Sequence, residues 1–362
     1  MKKILCIIDG LALGGAERQM IGLVHSLKQN GYEVNLVVYH PVNFYQALLD
    51  RMNIQVIRLE VGNSRWSKLS AVRRHIKDHN GYDCVIAYKD GPASIGCMLK
   101  MLGGKFKLIV SERNTTQCIT KSEKVKFWLY RFADYVVPNS YAQGNFIKRN
   151  FPSLAKKTVT ITNFTDTDYF TPVNKLSSGG LAIMTAARIT KQKNILNYLE
   201  AIKILKDKGY QGKVHFLWYG DVYKGGEEYR DKCLAKRQEL GINDMIDFYP
   251  ATSEILRCYQ DCDVFCLPSC YEGYPNVICE AMSCGKPILC SNICDNPKIV
   301  VDGINGILFD PTDVNRMAET FINVIEFSNE KRVNMGMQNR ETALGQFSET
   351  AFAEKYIEII ES

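Results

Sequence analysis

Short apolar runs alternate with longer segments of helical periodicity through the first half of the chain. Continuous apolar runs are typical of strands buried on both faces of a parallel sheet, and the segments between them predict crossover helices. The predicted strands are 3–8, 33–39, 54–59, 83–87, 106–110 and 135–138. The first half is therefore expected to form a Rossmann-like α/β domain.

The pattern stops at 171–180, a stretch rich in Pro, Asn, Ser and Gly, and then restarts. The second set of predicted strands is 181–186, 214–219, 245–249, 263–267, 287–290 and 307–309. We predict two Rossmann-like, doubly wound parallel-sheet domains, 1–170 and 181–345, joined by a linker over 171–180. Ligands of open α/β sheets bind beyond the carboxyl ends of the strands, so the two domains are expected to face a shared cleft.

The composition agrees with a two-domain globular protein. The 362 residues are 46% hydrophobic and 23% charged, which excludes disordered and collagen-like classes. The thirteen cysteines include no C-x-x-C pair, so we expect reduced thiols rather than disulfides or a zinc site. The first apolar run ends at Asp9, which is too short for a secretion signal, and a cytoplasmic location is expected.

Charge is distributed unequally between the two halves. Residues 1–170 contain 24 Lys and Arg against 13 Asp and Glu, whereas the remainder contains 21 against 26. A basic half suggests an anionic partner, namely nucleic acid, an anionic membrane surface or a phosphorylated substrate, although a solvated surface is an alternative. Segments 65–77 and 121–131 combine Trp66 and Trp128 with several cations, as membrane-surface helices do. No stacking motif or helix-turn-helix accompanies the charge, which argues against nucleic acid.

Two strand ends carry residues suited to phosphate groups. Gly14 and Gly15 follow the first strand, where a glycine turn lets a ligand approach the backbone, although a purely structural turn is equally compatible. Arg188 and Lys193 follow the first strand of the second domain. A guanidinium and an ammonium in one loop can together hold a diphosphate, whereas the alternative is an exposed basic loop.

A pair of glutamates follows the predicted strand 263–267. Glu272 falls in the loop between strand and helix, and Glu280 falls on the helix, where it shares a face with Asn276. Carboxylates accept hydrogen bonds from the adjacent hydroxyls of a sugar. The alternative is an acid at a helix start and an unrelated surface glutamate.

Together, G-G-x-E-R at 14–18, R-x4-K at 188–193 and E-x7-E at 272–280 resemble the retaining glycosyltransferases of family four, which have the GT-B fold. The resemblance covers both halves of the chain. It implies a nucleotide-sugar donor bound mainly by the second domain and an acceptor bound mainly by the first. It also implies a C-terminal helix, 346–362, that crosses back to the first domain, and a reaction without cofactor or obligatory metal.

The resemblance assigns individual residues to the donor. Arg188 and Lys193 match the pair that holds the diphosphate, Glu280 the carboxylate on the ribose, and Glu272 the one beside the sugar hydroxyls. Glu272, Arg188 and Lys193 are the expected catalytic residues. The expected donor-binding residues are Gly14, Gly15, Arg188, Lys193, Gly220, Glu272, Gly273, Tyr274, Asn276, Val277 and Glu280.

One departure from the family concerns the loop after the fourth strand. Many members have a histidine there, whereas this chain has Lys89 and Asp90. Some relatives that act on lipid-linked sugars share this departure, together with a Ser-Glu-Arg-Asn sequence like 111–114. We therefore expect Lys89, Asp90, Glu112 and Arg113 to contact the sugar or the acceptor.

The resulting hypothesis is a retaining hexosyltransferase that moves a hexose or N-acetylhexosamine from a UDP-sugar onto a growing polysaccharide or oligosaccharide. The acceptor is expected to be linked to polyprenyl diphosphate, as in capsule or lipopolysaccharide synthesis, and the enzyme to be peripheral on the inner face of the cytoplasmic membrane. The alternatives are a sugar-nucleotide epimerase of the same architecture and a catalytically silent, nucleotide-sugar-binding partner subunit. A non-enzymatic sugar-binding protein is disfavoured by the missing secretion signal.

Overall fold

The computed structural model describes residues 1–12, 14–40, 44–62, 64–114, 116, 118–173, 180–223 and 225–362. These residues form two compact units, which we call unit 1 (1–164 and 349–362) and unit 2 (165–348). Each unit contains one six-stranded parallel sheet with helices on its faces. The predicted fold class of two doubly wound α/β domains is confirmed.

Unit 1 follows the predicted alternation of strands and helices closely. Its elements are β1 (Lys3–Ile8), α1 (Gly15–Gln29), β2 (Glu33–Val38), α2 (Gln46–Arg51), β3 (Val56–Arg58), α3 (Arg65–Asp78), β4 (Cys84–Tyr88), α4 (Asp90–Met101), β5 (Lys107–Glu112), α5 (Lys121–Leu129), β6 (Tyr135–Pro138) and α6 (Tyr141–Asn150). The strand order is β3-β2-β1-β4-β5-β6. The order reverses between β1 and β4, and a ligand crevice is expected at this reversal.

Unit 2 repeats the same topology. Its elements are β7 (Leu181–Ala186), α7 (Ile195–Asp207), β8 (Val214–Tyr219), α8 (Glu227–Glu239), β9 (Ile246–Tyr249), α9 (Ile255–Asp261), β10 (Val264–Leu267), α10 (Asn276–Ser283), β11 (Ile288–Ser291), α11 (Asn296–Ile299), β12 (Gly306–Phe309), α12 (Val314–Glu326) and α13 (Asn329–Gln346). The strand order is β12-β11-β10-β7-β8-β9. The reversal in this sheet lies between β7 and β10.

The last helix, α14 (Glu349–Glu361), completes the core of unit 1 rather than unit 2. Its apolar face packs with α1, and Tyr356 is fully buried. The Tyr356 hydroxyl lies 3.0 Å from the Tyr88 hydroxyl, and Glu349 accepts hydrogen bonds from His25 and Ser26. These polar contacts fix the register of the helix on the sheet.

Three further observations bear on the sequence predictions. Residues 174–179 of the predicted linker lie outside the described residues. The thirteen cysteines are free thiols, and Cys118, Cys270 and Cys294 are exposed rather than in the core. Among the helices of the described ranges, none combines the length and the apolar character needed to cross a bilayer.

Candidate functional site

The predicted donor residues of unit 2 gather where its strand order reverses. Strands β7 and β10 are adjacent and parallel, with Val264 opposite Ile183. The loops that follow them therefore leave the same edge of the sheet. One loop carries Arg188 and Lys193, and the other carries Glu272.

Lys193 and Glu272 form an ion pair between these two loops. Their side chains are only 13% and 10% exposed, so the pair is largely shielded from water. The loops are also joined through Gln192, whose carbonyl accepts from the Cys270 amide at 2.8 Å. The Gln192 side chain donates to the Tyr271 carbonyl at 2.9 Å. Both charged groups are thus held before any ligand arrives.

Arg188 adds a second cation to this edge. Its guanidinium lies over the ring of Tyr223, 4.0 Å from the ring centre, and the residue is exposed. Partial burial of the side chain lowers the pKa of Arg188 below its ordinary value, and the charge of Glu272 offsets part of this decrease. Glu272 therefore interacts electrostatically with both cations at this edge, Arg188 and Lys193.

Glu280 is a buried residue on α10, the helix that follows the loop of Glu272. It is 5% exposed, and Tyr259 on α9 donates its hydroxyl hydrogen to a Glu280 carboxylate oxygen at 2.9 Å. Tyr259 is not among the residues predicted from the sequence, although an aromatic residue in the helix preceding β10 is a visible signal. The bond orients the Glu280 carboxylate.

The segment before α10 contains several of the predicted donor residues. Pro275 precedes the helix, and no side chain caps its amino end. Tyr274 is buried, and its ring lies edge-on against Phe347 with ring centres 6.1 Å apart. Gly273 and the first helical residues, Asn276 and Val277, are half-buried.

Gly220 has a packing requirement that the sequence analysis did not identify. A β-carbon there would overlap the carbonyl oxygen of Ala187, the residue before Arg188. The same carbonyl accepts a hydrogen bond from the indole of Trp218 at 2.8 Å. Gly220 therefore allows the end of β8 to lie against the loop that carries Arg188.

In unit 1, the glycine turn after β1 is covered by its own helix. The Glu17 carboxylate folds back over Gly14, where a β-carbon would collide with it, and forms an ion pair with Lys89. Tyr45 donates its hydroxyl hydrogen to the Gly14 carbonyl at 2.8 Å. Gly15 is the first residue of α1. The side chains of Glu17 and Tyr45 thus both lie against Gly14 and hold the turn in place.

Lys89 itself has an unusual backbone conformation. It lies between β4 and α4 with φ +69° and ψ 166°, a region that residues other than glycine rarely occupy. Such strain is found mainly where a side chain has to be aimed at a particular point. Lys89 is aimed at Glu17, and the following residue, Asp90, lies in the first turn of α4.

Glu112 belongs to a buried cluster at the end of β5. Its carboxyl is fully enclosed, 3.1 Å from the Lys126 ammonium, and accepts a hydrogen bond from Tyr130 at 3.3 Å. Burial raises the pKa of Glu112 to about 7, although Lys126 lowers it in part. Lys126 also approaches Glu123 and Asp90, at 2.8 and 3.6 Å. The Glu112 carboxyl lies below the surface. Its contact with the acceptor stays a prediction.

Lys126 corrects the prediction for the basic segment 121–131. The sequence grouped it with cations facing an anionic surface, whereas it is 8% exposed and pairs with carboxylates. Burial alone would lower the pKa of Lys126, but Glu112, Glu123 and Asp90 together raise it. Arg113, next to Glu112, takes no part in this cluster, because its guanidinium lies over the ring of Tyr88.

Within the part of the chain that the structure describes, no three His, Cys, Asp or Glu side chains gather as a metal site would require. The positive charges at the edge of unit 2 come instead from the side chains of Arg188 and Lys193. Metal independence stays a prediction.

Two family models together match most of the chain. Residues 13–169 match the model described as Glycosyltransferase Family 4, and residues 169–342 match the model described as Glycosyl transferases group 1. The first range covers most of unit 1, and the second covers the loops of Arg188, Lys193 and Glu272 and the helix of Glu280.

Curated relatives are similar over nearly the full length. An uncharacterized glycosyltransferase of Haemophilus influenzae is 25% identical over 329 residues, which are 88% of this chain and 89% of the relative. The N-acetylgalactosamine-N,N'-diacetylbacillosaminyl-diphospho-undecaprenol 4-alpha-N-acetylgalactosaminyltransferase of Campylobacter jejuni is 22% identical over 349 residues, 90% of this chain and 91% of the relative.

Solved structures share the fold. A glycosyltransferase from Rickettsia africae superposes with a TM-score of 0.86 at 19% identity, covering 99% of this chain and 98% of that one. HepE of Anabaena in complex with UDP superposes with a TM-score of 0.84 at 18% identity, covering both chains completely.

Proposed function

The chain belongs to the family 4 glycosyltransferases of GT-B fold, and from that premise we propose that it is a retaining enzyme with a UDP-sugar donor. It transfers a hexose or N-acetylhexosamine to a growing glycan linked to a lipid diphosphate. The observation that carries this proposal is the Lys193–Glu272 ion pair, with Arg188 in the same loop, where the strand order of unit 2 reverses.

The chemistry of transfer matches these groups. Negative charge develops on the leaving diphosphate, and preorganised cations stabilise it most effectively where water is excluded. Arg188 and Lys193 supply that charge, together with the uncapped amino end of α10. Two cations and a helix end make an obligatory metal unnecessary in this proposal.

Glu272 and Glu280 bind different parts of the donor in this proposal. Glu272 accepts hydrogen bonds from the donor sugar, and its contact with Lys193 keeps its carboxylate oriented. Glu280 accepts from the ribose hydroxyls, with Tyr259 fixing its carboxylate. Support for uridine comes from HepE, which shares the fold and binds UDP.

The acceptor proposal rests on charge and on relatives. Unit 1 contains 25 Lys and Arg against 15 Asp and Glu, a net charge of +10. The relative from C. jejuni named above acts on a diphospho-undecaprenol-linked sugar. A basic unit suits a diphosphate-linked acceptor, because the acceptor is anionic whatever sugars it carries.

A peripheral position on the inner face of the cytoplasmic membrane follows from the same chemistry. Trp66 on α3 is 70% exposed, and Trp128 and Val125 on α5 are 48% and 59% exposed. The cations around them are Arg65, Lys121, Lys124 and Arg131, all exposed. Exposed aromatic residues beside cations bind the interface of anionic membranes.

The donor is tested first by ligand-induced stability. The thermal midpoint of the purified protein is measured with UDP, GDP, ADP and NAD, each with a chelator, for the wild type, Glu280→Gln and Glu341→Gln. Glu341 is exposed on α13 and serves as the matched control. At a hundredfold excess over Kd, binding stabilises the native state by about 2.7 kcal/mol. We expect UDP to raise the midpoint of the wild type and of Glu341→Gln only.

Transfer is then tested with UDP-hexoses and UDP-N-acetylhexosamines and an isoprenyl-diphosphate-linked oligosaccharide, and the anomeric configuration of the product is determined by NMR. An α-linked product from an α-linked donor is expected for retention. Interconversion of the donor sugar without acceptor would indicate an epimerase. UDP binding without turnover under all of these conditions would indicate a silent partner subunit.

A further inference from the structure

Arg113, directly after β5, is a half-buried residue whose guanidinium group is enclosed. Its Nε, Nη1 and Nη2 atoms are all inaccessible to water and have no hydrogen-bond partner among the described residues. The guanidinium carbon lies 4.6 Å from the centre of the Tyr88 ring. The stacking holds the guanidinium plane but satisfies none of its donors.

This arrangement is energetically unfavourable without a ligand. Arginine stays charged in proteins, and an unpaired buried charge loses its hydration without compensation. A cation over an aromatic ring recovers only part of that loss. Buried polar groups are almost always satisfied, so a guanidinium whose three nitrogen atoms lack acceptors among the described residues indicates a site for an anionic ligand.

The neighbouring acid does not supply this acceptor. The Glu112 carboxyl is directed to Lys126 and Tyr130 instead of Arg113.

The surroundings of Arg113 are rigid. The Tyr88 hydroxyl lies 3.0 Å from the Tyr356 hydroxyl, which donates to the Ser111 hydroxyl at 3.5 Å. Three residues after Arg113, Thr116 is held by the Gln143 side chain, which accepts from the Thr116 amide at 2.9 Å and donates to the Thr116 hydroxyl at 3.0 Å. The ring beneath the guanidinium and Thr116 are therefore held in place, which lowers the entropic cost of binding.

We propose that Arg113 binds a phosphate group of the acceptor through its planar guanidinium. The fork of parallel N–H groups matches two oxygens of a phosphate, which a lysine cannot reproduce. The identity of the phosphate carrier rests on the proposed function, since a lipid-diphosphate-linked acceptor brings this group to unit 1. The site itself rests only on the unpaired guanidinium and its fixed surroundings.

The experiment is a calorimetric titration with geranyl diphosphate in saturating UDP, so that the proposed donor site is already occupied. Geraniol, which lacks the diphosphate, and inorganic pyrophosphate, which lacks the isoprenyl chain, are titrated in parallel. The proteins are the wild type, Arg113→Gln, Arg113→Lys and Arg149→Gln. Arg149 is exposed at the end of α6 and gives the same change of charge on unit 1.

We expect Arg113→Gln to weaken geranyl diphosphate binding roughly tenfold or more, because charge-assisted hydrogen bonds are lost. Arg113→Lys is expected to be intermediate, and Arg149→Gln unchanged. Tighter binding of geranyl diphosphate than of pyrophosphate assigns the site to a lipid-linked phosphate, and equal binding assigns it to free phosphate.

The same affinity in the wild type, Arg113→Gln and Arg113→Lys would overturn the proposal, as would no binding of either diphosphate to the wild type. Circular dichroism shows whether Arg113→Gln is folded, and Arg113→Lys decides the question if it is not. Failure of the donor proposal has a separate sign, namely the absence of a UDP-induced shift that depends on Glu280.

Discussion

The ammonium of Lys193 contacts a carboxylate oxygen of Glu272, although the two residues are 79 positions apart in the chain. The contact exists because β7 and β10 are adjacent in the sheet and their following loops share the Gln192 hydrogen bonds. The cation that we propose to bind phosphate is thus held by the carboxylate that we propose to bind the sugar.

This relationship predicts non-additive kinetics. We expect Lys193→Gln and Glu272→Gln each to lower kcat about 10²–10³-fold, since each removes a preorganised charge from the transition state. The double variant should be little worse than the weaker single variant, because the residues act as a unit. The measurement is kcat and KM in a full double-mutant cycle.

The control cycle uses Lys203→Gln and Asp207→Asn, an exposed ion pair on α7. It should leave kcat unchanged. Effects of Lys193 and Glu272 that simply multiply would show that the pair does not act as one unit.

Gly220 predicts a steric effect on the Arg188 loop. We expect Gly220→Ala to destabilise the protein by about 1–3 kcal/mol, because the new methyl group overlaps the Ala187 carbonyl. The UDP-induced midpoint shift should also decrease as the loop moves. The control is Gly345→Ala in α13, where a β-carbon meets nothing within 4 Å and stabilisation of about 0.5–1 kcal/mol is expected. Equal midpoints for the two variants would refute this account of Gly220.

The hydrogen bond from Tyr259 is expected to hold the Glu280 carboxylate in position for the donor. Tyr259→Phe removes one hydrogen bond to the carboxylate, and we expect KM for the donor to rise about 3–10-fold with a smaller change in kcat, as for the loss of a single hydrogen bond. Steady-state kinetics at varied donor concentration measure the split. Tyr198→Phe is the matched control, since it removes another buried hydroxyl in unit 2. The same rise of KM in both variants would indicate a general loss of rigidity instead.

Glu112 predicts a pH dependence of stability. Burial raises its pKa from 4.5 to about 7 in the folded state, so between these values the native state binds more protons than the unfolded state. The free energy of unfolding should therefore fall as pH rises from about 4.5 to 7, by up to about 3 kcal/mol. We expect Glu112→Gln to flatten this part of the profile, measured by urea denaturation at several pH values.

Glu60→Gln, at an exposed position of unit 1, provides the comparison for Glu112 and should keep the wild-type profile. A Glu112→Gln profile parallel to that of the wild type would show that Glu112 is already ionised below pH 5.

The exposed tryptophans predict salt-dependent membrane binding. We expect the wild type to sediment with phosphatidylglycerol vesicles at low salt and less at high salt, because screening weakens the attraction between cations and lipid. Trp66→Ser with Trp128→Ser should reduce the bound fraction, whereas Leu344→Ser, at a residue 47% exposed on α13 of unit 2, should not. Equal binding to uncharged phosphatidylcholine vesicles would contradict the electrostatic part of this prediction.

Twelve strands could be predicted from the sequence because strands buried on both faces of a parallel sheet are continuous apolar runs. In β1, five of six residues are buried, and all five of β4 are. The strand ends also indicated which loops carry Arg188, Lys193 and Glu272, since parallel strands end at one edge.

The pairings within the site could not be predicted. Lys126 lies between the exposed residues Lys124 and Trp128 in the sequence, and its contact with Glu112 is visible only in the folded structure. The contact of Glu17 with Lys89 likewise depends on the positive φ of Lys89, which no hydrophobic pattern encodes. Side-chain partners that are distant in sequence follow from the fold rather than from local periodicity.

The assignment of α14 to unit 1 has a consequence for synthesis on the ribosome. Unit 2 can complete its core once residue 348 has emerged, whereas unit 1, which begins the chain, has to wait for Phe352 and Tyr356. Until then its nascent sheet keeps an uncovered apolar face, and Tyr88 lacks its hydroxyl partner. Unit 1 is thus expected to complete its core last, whereas an N-terminal domain that is continuous in sequence can fold first.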